Sequence, residues 1–145
     1  MSTVRVLFFL LLAACNDAAP RPGPRKSKAD TPTAAEFMAR ARKAVDDKQW
    51  GNAHVALMSL EVVDVDGGYS EERLLLQVRT LMVLVPGETA EEKADEFHRL
   101  FPESPLGAQV EDELRPLYRF QPGREAARER KVKQIIRRAL REQQR

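Results

Sequence analysis

The placement of proline constrains the fold of this chain more than any other feature. From residue 31 onward six prolines lie at the edges of helix-length segments and none lies inside one: Pro32, Pro86, Pro102, Pro105, Pro116 and Pro122. Proline lacks a backbone N–H and its ring clashes with the preceding helical turn, so it starts a helix or lies outside it. The pattern predicts five helices over about 33–48, 51–63, 70–85, 89–101 and 105–115, and a sixth over 124–143.

The segment 70–85 shows the clearest helical period. Its large apolar residues recur with the spacing of one helix face: Leu74, Leu75, Val78, Leu81, Met82 and Val85. Three predicted helix starts have candidate caps: Ser70, and the T-x-x-E capping boxes Thr33–Glu36 and Thr89–Glu92. The sequence shows no convincing alternating pattern of a β-strand, so the predicted fold class is all-α.

Charge is distributed unevenly along the 145 residues. Residues 1–30 carry 5 basic and 2 acidic side chains, residues 31–123 carry 10 and 17, and residues 124–145 carry 9 and 3. The net charge of +2 is therefore the sum of +3, −7 and +6. An apolar fraction of 43% indicates a folded body rather than disorder throughout. One cysteine excludes an internal disulfide, and with two histidines it cannot form a zinc site alone.

The first fifteen residues have the pattern of an export signal. Arg5 precedes nine apolar residues, Val6–Ala14, which as a helix would span about 13 Å and could not cross a bilayer. Leu12-Ala13-Ala14-Cys15 resembles the lipobox of bacterial lipoproteins. This resemblance implies that Cys15 is lipidated and becomes the N-terminus of the mature chain. The alternative is an ordinary cleavage site followed by an incidental cysteine.

The predicted organisation has four parts: a lipoprotein signal peptide (1–14), the lipidated cysteine with a Pro-rich basic linker (15–30), a helical body (31–120) and a basic helix (121–145). The linker lacks large apolar residues, so it is expected to be disordered and to reach up to about 45 Å. We expect the protein in the cell envelope, attached to a membrane through the lipid on Cys15. Asn16 after the cysteine favours the periplasmic face of the outer membrane over the inner membrane.

The segment 36–63 resembles a tetratricopeptide-type helical hairpin. It reads EFMARARKAVDDKQWGNAHVALMSLEVV, with Phe37 at the first large apolar position of the repeat and Trp50 at the aromatic position that starts the second helix. Small residues allow the two helices to approach closely: Ala41, Ala44 and Ala53. The segment departs from the repeat at its end, where Leu60 and Val65 replace the usual Ala and Pro.

A second unit is predicted over 70–107. Its tail, FHRLFPESPL, resembles the F-x-x-x-F-P-x-S-P segment of envelope tetratricopeptide lipoproteins of the barrel-assembly and TolA-binding types. This resemblance implies that Ser104 caps the next helix with Pro105 in its first turn. A solenoid needs about three units, so we expect 105–115 and the C-terminal helix to form the third. A plain helical bundle is the alternative.

The segment 124–145 is predicted to form a basic amphipathic helix. Its narrow apolar stripe consists of Val132, Ile135, Ile136, Ala139 and Leu140. Four interpretations stay open: the helix packs on the acidic body, binds a partner protein, contacts anionic lipid or another envelope polyanion, or binds nucleic acid. Nucleic acid is not expected, because an exported chain rarely meets it and the helix lacks aromatic residues for base stacking.

The sequence lacks a recognisable catalytic or metal-binding pattern. Cys15 is assigned to lipid, and His54 and His98 lie on separate predicted helices and are expected to be partly exposed. The segment 64–69 fails as a calcium loop because its sixth residue is Tyr69 rather than Gly, so it is predicted to be a turn between helices. We expect no enzymatic activity, no cofactor and no metal.

The resulting hypothesis is a membrane-anchored envelope lipoprotein that acts as a non-catalytic scaffold for protein–protein interaction. Phe37, Trp50 and Leu57 would form the walls of its groove. The candidate partner-binding residues of the body are His54, Arg73 and Arg79, which are polar positions expected to be exposed. Those of the C-terminal helix are Arg130, Lys133, Arg137 and Arg141. The alternative is an accessory protein that binds an envelope polyanion or a membrane surface through that helix, and an envelope enzyme comes third.

Overall fold

Six α-helices make up the regular structure of residues 32–145, which are the part of the chain that the computed structural model describes. They are α1 (Ala34–Asp46), α2 (Trp50–Val63), α3 (Ser70–Leu84), α4 (Glu88–Leu100), α5 (Gly107–Tyr118) and α6 (Pro122–Gln143). The all-α prediction is confirmed, and each predicted helix is present with ends displaced by at most three residues. The predicted signal peptide, Cys15 and the linker lie outside the described residues.

The lengths of the connections repeat along the chain. Three residues join the two helices of each pair, at 47–49, 85–87 and 119–121, whereas six residues join one pair to the next, at 64–69 and 101–106. Such short connections place neighbouring helices antiparallel. The chain therefore forms three helical hairpins, α1–α2, α3–α4 and α5–α6, in which contacts run from each hairpin to the next.

The first of two apolar clusters joins α1 to α2. It contains the small residues predicted at the crossing of the two helices and the fully buried Leu57. Its members are Met38, Ala41, Ala44, Val45, Ala53, Ala56, Leu57, Leu60 and Leu76. Phe37 and Trp50 pack against it and are partly buried. Small side chains let the two backbones approach, and the large ones fill the space beside them.

The second apolar cluster joins α3, α4 and α5. Its members are Leu74, Leu75, Val78, Leu81, Ala90, Ala94, Phe97, Val110, Leu114 and Tyr118. Helix α3 contributes to both clusters, because Leu76 faces α1 and α2 while its neighbours face α4 and α5. A helix that lies between two hairpins is buried around most of its circumference, which explains the long run of buried residues from Arg73 to Val78. The polar members of that run, Arg73 and Gln77, both contact Glu61 on α2.

The predicted helix caps have mixed outcomes. The capping box at α1 is confirmed, since Thr33 Oγ1 accepts from Glu36 N at 3.3 Å and Glu36 Oε2 accepts from Thr33 N at 2.7 Å. The caps at Ser70 and Thr89 are wrong, because both residues lie inside their helices. At α4 the N-cap is Gly87, whose φ of 137° is readily adopted by glycine. The helix therefore begins at Glu88, two residues before the start that a Thr89 cap predicts.

Two predictions around α5 are also wrong. Helix α5 begins at Gly107, so Pro105 precedes it and Ser104 does not cap it; instead the Ser104 hydroxyl accepts from Leu106 N at 3.0 Å within a turn. Pro116 was expected at the end of a segment but lies inside α5. It lies in the last turn, where proline removes a single backbone hydrogen bond and the helix continues for only two residues.

Candidate interaction surfaces

The outer face of α2 is apolar and exposed. Three of its side chains lie at helical spacing with large exposed fractions: Val55 at 65%, Met58 at 47% and Val62 at 79%. The opposite face of the same helix is buried against α1 and α3 through Ala53, Leu57 and Leu60. Helix α2 therefore has apolar side chains on two opposite faces, a composition typical of a helix covered on both sides.

A shallow groove runs between α1 and α2 beside this face. Its apolar lining comes from Phe37, Ala44, Val55 and Ala56, and its polar rim comes from Arg40, Lys43, Asp47, Gln49, Asn52 and Ser59. One of the two rim cations forms an ion pair, and the other lies over an aromatic ring. Lys43 pairs with Asp47 at 2.7 Å, and the Arg40 guanidinium lies 5.6 Å from the centre of the Phe37 ring. The groove and the outer face of α2 form one continuous surface with little net charge.

The three candidate residues of the body have different environments. His54 on α2 is half-buried, and its Nδ1 is buried without a hydrogen-bond partner. Arg79 on α3 is partly exposed and pairs with Glu113 on α5, with 2.8 Å between Nε and Oε1. The expectation that Arg73 is exposed is wrong. Its side chain is buried, and its guanidinium pairs with the carboxylate of Glu61 on α2 at 2.9 Å.

Helix α6 is attached to α4 and α5 by ion pairs around Arg128. The Arg128 side chain is buried, and its guanidinium contacts Asp95 on α4 and Glu111 on α5, with 3.0 Å from Nε to Oε2 of Glu111. Two further ion pairs flank it: Arg124–Glu91 at 3.0 Å and Lys131–Asp95 at 2.6 Å. These pairs bring the basic helix onto the acidic body, which is the first of the four interpretations given above.

The charges of this cluster stabilise one another. Burial acts to raise the pKa of Glu111, but hydrogen bonds from His98 and Arg128 outweigh it and leave that pKa below its ordinary value. Burial likewise acts to lower the pKa of Arg128, and the hydrogen bonds and charges of Glu111 and Asp95 raise it above its ordinary value. Both groups are therefore charged at neutral pH, and each needs the other to remain inside the interface.

The sequence did not identify two members of this cluster. His98 was expected to be partly exposed but is buried, with Nε2 at 2.8 Å from Glu111 Oε1 and its ring edge-on to Phe97. A signal for its burial was present, because His98 lies one turn after Ala94 on the core face of α4. Arg128 likewise lies one turn before Val132 and so shares the face of the apolar stripe of α6.

The four basic candidates of α6 lie together on its outer face. Arg130, Lys133, Arg137 and Arg141 are exposed and border one shallow depression with Gln134, Leu140 and Gln144. At 100° per residue these four positions fall within an arc of about 80°, roughly opposite Arg128. Among the described residues Arg130, Arg137 and Arg141 have no ion-pair partner, and Lys133 lies 3.8 Å from Glu129. This set is called the outer basic face below.

Three further observations concern the class of protein. Within residues 32–145 no helix is both long and apolar enough to cross a membrane. The same residues contain no group of three or more His, Cys, Asp or Glu side chains arranged to bind a metal ion. Comparison with known protein families, with curated proteins and with solved structures finds no match for this chain.

Proposed function

We propose that this protein is a lipid-anchored scaffold of the cell envelope, in which a short stack of tetratricopeptide-like hairpins binds a partner protein. The anchor is inferred from Leu12-Ala13-Ala14-Cys15, because the only cysteine of the 145 residues stands at the position that the lipobox requires. On this proposal the linker joins the lipid to the helical unit at Pro32. No catalytic step is part of the proposed role.

The repeating connections support the tetratricopeptide-like part of the proposal. The first helices of the three hairpins begin at residues 34, 70 and 107, which are 36 and 37 residues apart. The tetratricopeptide repeat has a length of about 34 residues and is also a helix–turn–helix unit. Proteins built in this way present extended surfaces on which other chains dock.

The outer face of α2 is the observation that supports the scaffold most strongly. Val55, Met58 and Val62 expose apolar surface beside a groove in which Lys43 pairs with Asp47 and Arg40 lies over the Phe37 ring. From Trp50 to Leu60 the only titratable side chain of α2 is His54. The occupant that fits a neutral, apolar helix face is a partner helix with a wide apolar face and few charges.

Site-specific photo-crosslinking in cells tests this docking surface. A photoreactive residue at Val62 is expected to capture a discrete partner, whereas the same residue at exposed Arg115 on α5 should not. Adding Met58→Glu to the Val62 probe places a charge in the apolar contact and should abolish capture. The matched change Gln109→Glu, at an exposed position of α5, should leave capture intact. Equal products from the Val62 and Arg115 probes would refute the docking surface.

Fatty-acid labelling tests the anchor independently of the docking surface. The wild-type chain should incorporate labelled palmitate and fractionate with membranes, and Cys15→Ser should lose both properties because the sulfur that receives the lipid is absent. If the variant stays fully labelled, the lipoprotein assignment is wrong. Because the label reports on Cys15 alone, its outcome does not depend on whether α2 binds a partner.

A further inference from the structure

We propose that the outer basic face of α6 binds the anionic headgroups of a phospholipid bilayer, so that the helical unit lies against the membrane surface. The proposal extends the proposed lipid anchor, since it gives the unit a second contact with the same membrane. It does not depend on the partner-binding role of α2, which lies in the opposite terminal hairpin of the stack.

The arrangement of charge on α6 is the first argument. Arg130, Lys133, Arg137 and Arg141 extend along about 16 Å of one helix face, and the intervening outer positions are Gln134, Leu140 and Gln144. All four cations are exposed, no carboxylate lies between residues 130 and 141, and the carboxylate of Glu129 at the edge of this face lies 3.8 Å from Lys133. A helix that only needed solubility would mix charges of both signs on its outer face. A row of cations instead matches a surface of regularly spaced phosphates.

The fixed orientation of α6 is the second argument. Arg128, which projects from the opposite side, is buried between Asp95 and Glu111, and Ala139 is buried nearly two turns after Val132. These contacts pair the inward-facing cation with carboxylates of the body and determine which side of the helix faces outward. Binding therefore does not require the helix to form or rotate, and little conformational entropy is lost on contact.

The position of the chain entry is the third argument. Helices α4 and α6 run in the same direction, because Arg124 pairs with Glu91 and Arg128 pairs with Asp95 four residues later on both helices. Gln143 consequently lies beside Glu71, near the start of α3. Since neighbouring helices are antiparallel, α1 and α3 begin at the same end of the unit. Pro32 and the C-terminal end of α6 therefore share one end.

The chemistry of the face indicates a peripheral rather than an inserted contact. Large apolar side chains on the outer side of α6 are limited to Leu140, which is itself partly buried. A helix that enters a bilayer interface needs a broad apolar face for that purpose. Binding should therefore be electrostatic, reversed by salt and dependent on anionic lipid.

Vesicle co-sedimentation of residues 32–145 tests the proposal. This unit contains both apolar clusters and every α6 contact, so it is used without the linker or lipid, and its helicity is checked by circular dichroism. It should sediment with phosphatidylglycerol–phosphatidylcholine vesicles and not with pure phosphatidylcholine. Each cation near such a surface strengthens partitioning by about fivefold. Changing all four outer cations to Gln should lower partitioning by more than about tenfold.

The control variant removes the same number of charges elsewhere: Lys43, Arg99, Arg115 and Arg119, all exposed, to Gln. Partitioning should remain within about threefold of wild type in this variant, because these cations lie on several elements and form no row. Equal losses in the two variants would overturn the proposal in favour of a general charge effect. Stronger binding to polyphosphate or duplex DNA than to vesicles at equal phosphate would also overturn it, since the ligand would then be a soluble polyanion.

Discussion

Helices α2 and α6, one in each terminal hairpin of the stack, are held to the molecule by different forces. In the α1–α2 hairpin, small residues such as Ala41 and Ala53 form a close apolar contact, and the ion pairs Arg42–Glu72 and Arg73–Glu61 join the hairpin to α3. In the α5–α6 hairpin, the buried side chains of α6 that the structure describes are Arg128 and Ala139, and charge dominates both its inner and its outer face. Helix α2 is thus attached chiefly through a buried apolar face, and α6 chiefly through ion pairs.

The difference shows how a basic helix can join an acidic body without an extensive core. Ion pairs need specific geometry, and they weaken when one partner is removed or protonated. Apolar contacts depend on buried area and are insensitive to moderate salt and pH. The two ends should therefore respond differently to the same perturbations, and the predictions below test that contrast in order of decreasing effect.

Leu57→Ala should cause the largest loss, about 3 kcal/mol of the free energy of unfolding, because Leu57 is fully buried between α1 and α2 and the change leaves a cavity. Urea unfolding monitored by circular dichroism measures it. The loss should be the same at low and high salt. The neighbouring change Met58→Ala, at a half-exposed position, should cost less than about 1 kcal/mol. Equal losses for the two variants would contradict the assigned packing.

Arg128→Ala should cost about 2 kcal/mol, because it leaves the carboxylates of Asp95 and Glu111 close together without their shared cation. Both carboxylates are partly exposed, which keeps the loss below that of a fully buried pair. Hydrogen exchange should show the loss concentrated in α6. Arg130→Ala, two residues along on the outer face, is the matched control and should change stability by less than about 0.5 kcal/mol. If both variants behave alike, the ionic cluster does not attach α6.

Acid should weaken the α6 end through Glu111. The pKa of this carboxyl is lowered in the folded protein from its ordinary value of 4.5, so its stabilising contribution is complete above that value and is lost as pH falls through the lowered pKa. Glu111→Gln should therefore be less stable than wild type by about 1–2 kcal/mol at pH 5, and the difference should be smaller at pH 3. Urea titrations at both pH values measure this difference. A constant difference would contradict the assigned role of the Glu111 charge.

The helices could be predicted from the sequence because their determinants are local. Proline positions and the apolar period of 70–85 depend only on residues within one or two turns, so all six helices were found. Helix starts were harder. Ser70 and Thr89 have side chains suited to capping, but the N-cap is the residue at which the backbone enters the helix. For α4 the turn geometry at Gly87 determines which residue that is.

The surfaces were less predictable because they depend on partners distant in sequence. Arginine is usually exposed, and Arg73 is buried because its charge is paired with Glu61 on the adjacent helix. The apolar stripe of α6 indicated a docked helix, yet Arg128 was not identified because a cation on such a stripe needs Asp95 and Glu111 from two other helices. The outer basic face needed no such partner, and its four residues were identified from the sequence.

The smallest losses of stability are expected for substitutions on the outer faces of α2 and α6. Val55→Gln on α2 and Arg137→Gln on α6 should each change the free energy of unfolding by less than about 0.5 kcal/mol, because both side chains are exposed and glutamine is a good helix former. Thermal unfolding of both variants measures this. An apolar face and a cationic face that are both dispensable for stability are then available for binding. A loss of 2 kcal/mol or more for Val55→Gln would instead make the outer face of α2 part of the fold and remove it as a docking surface.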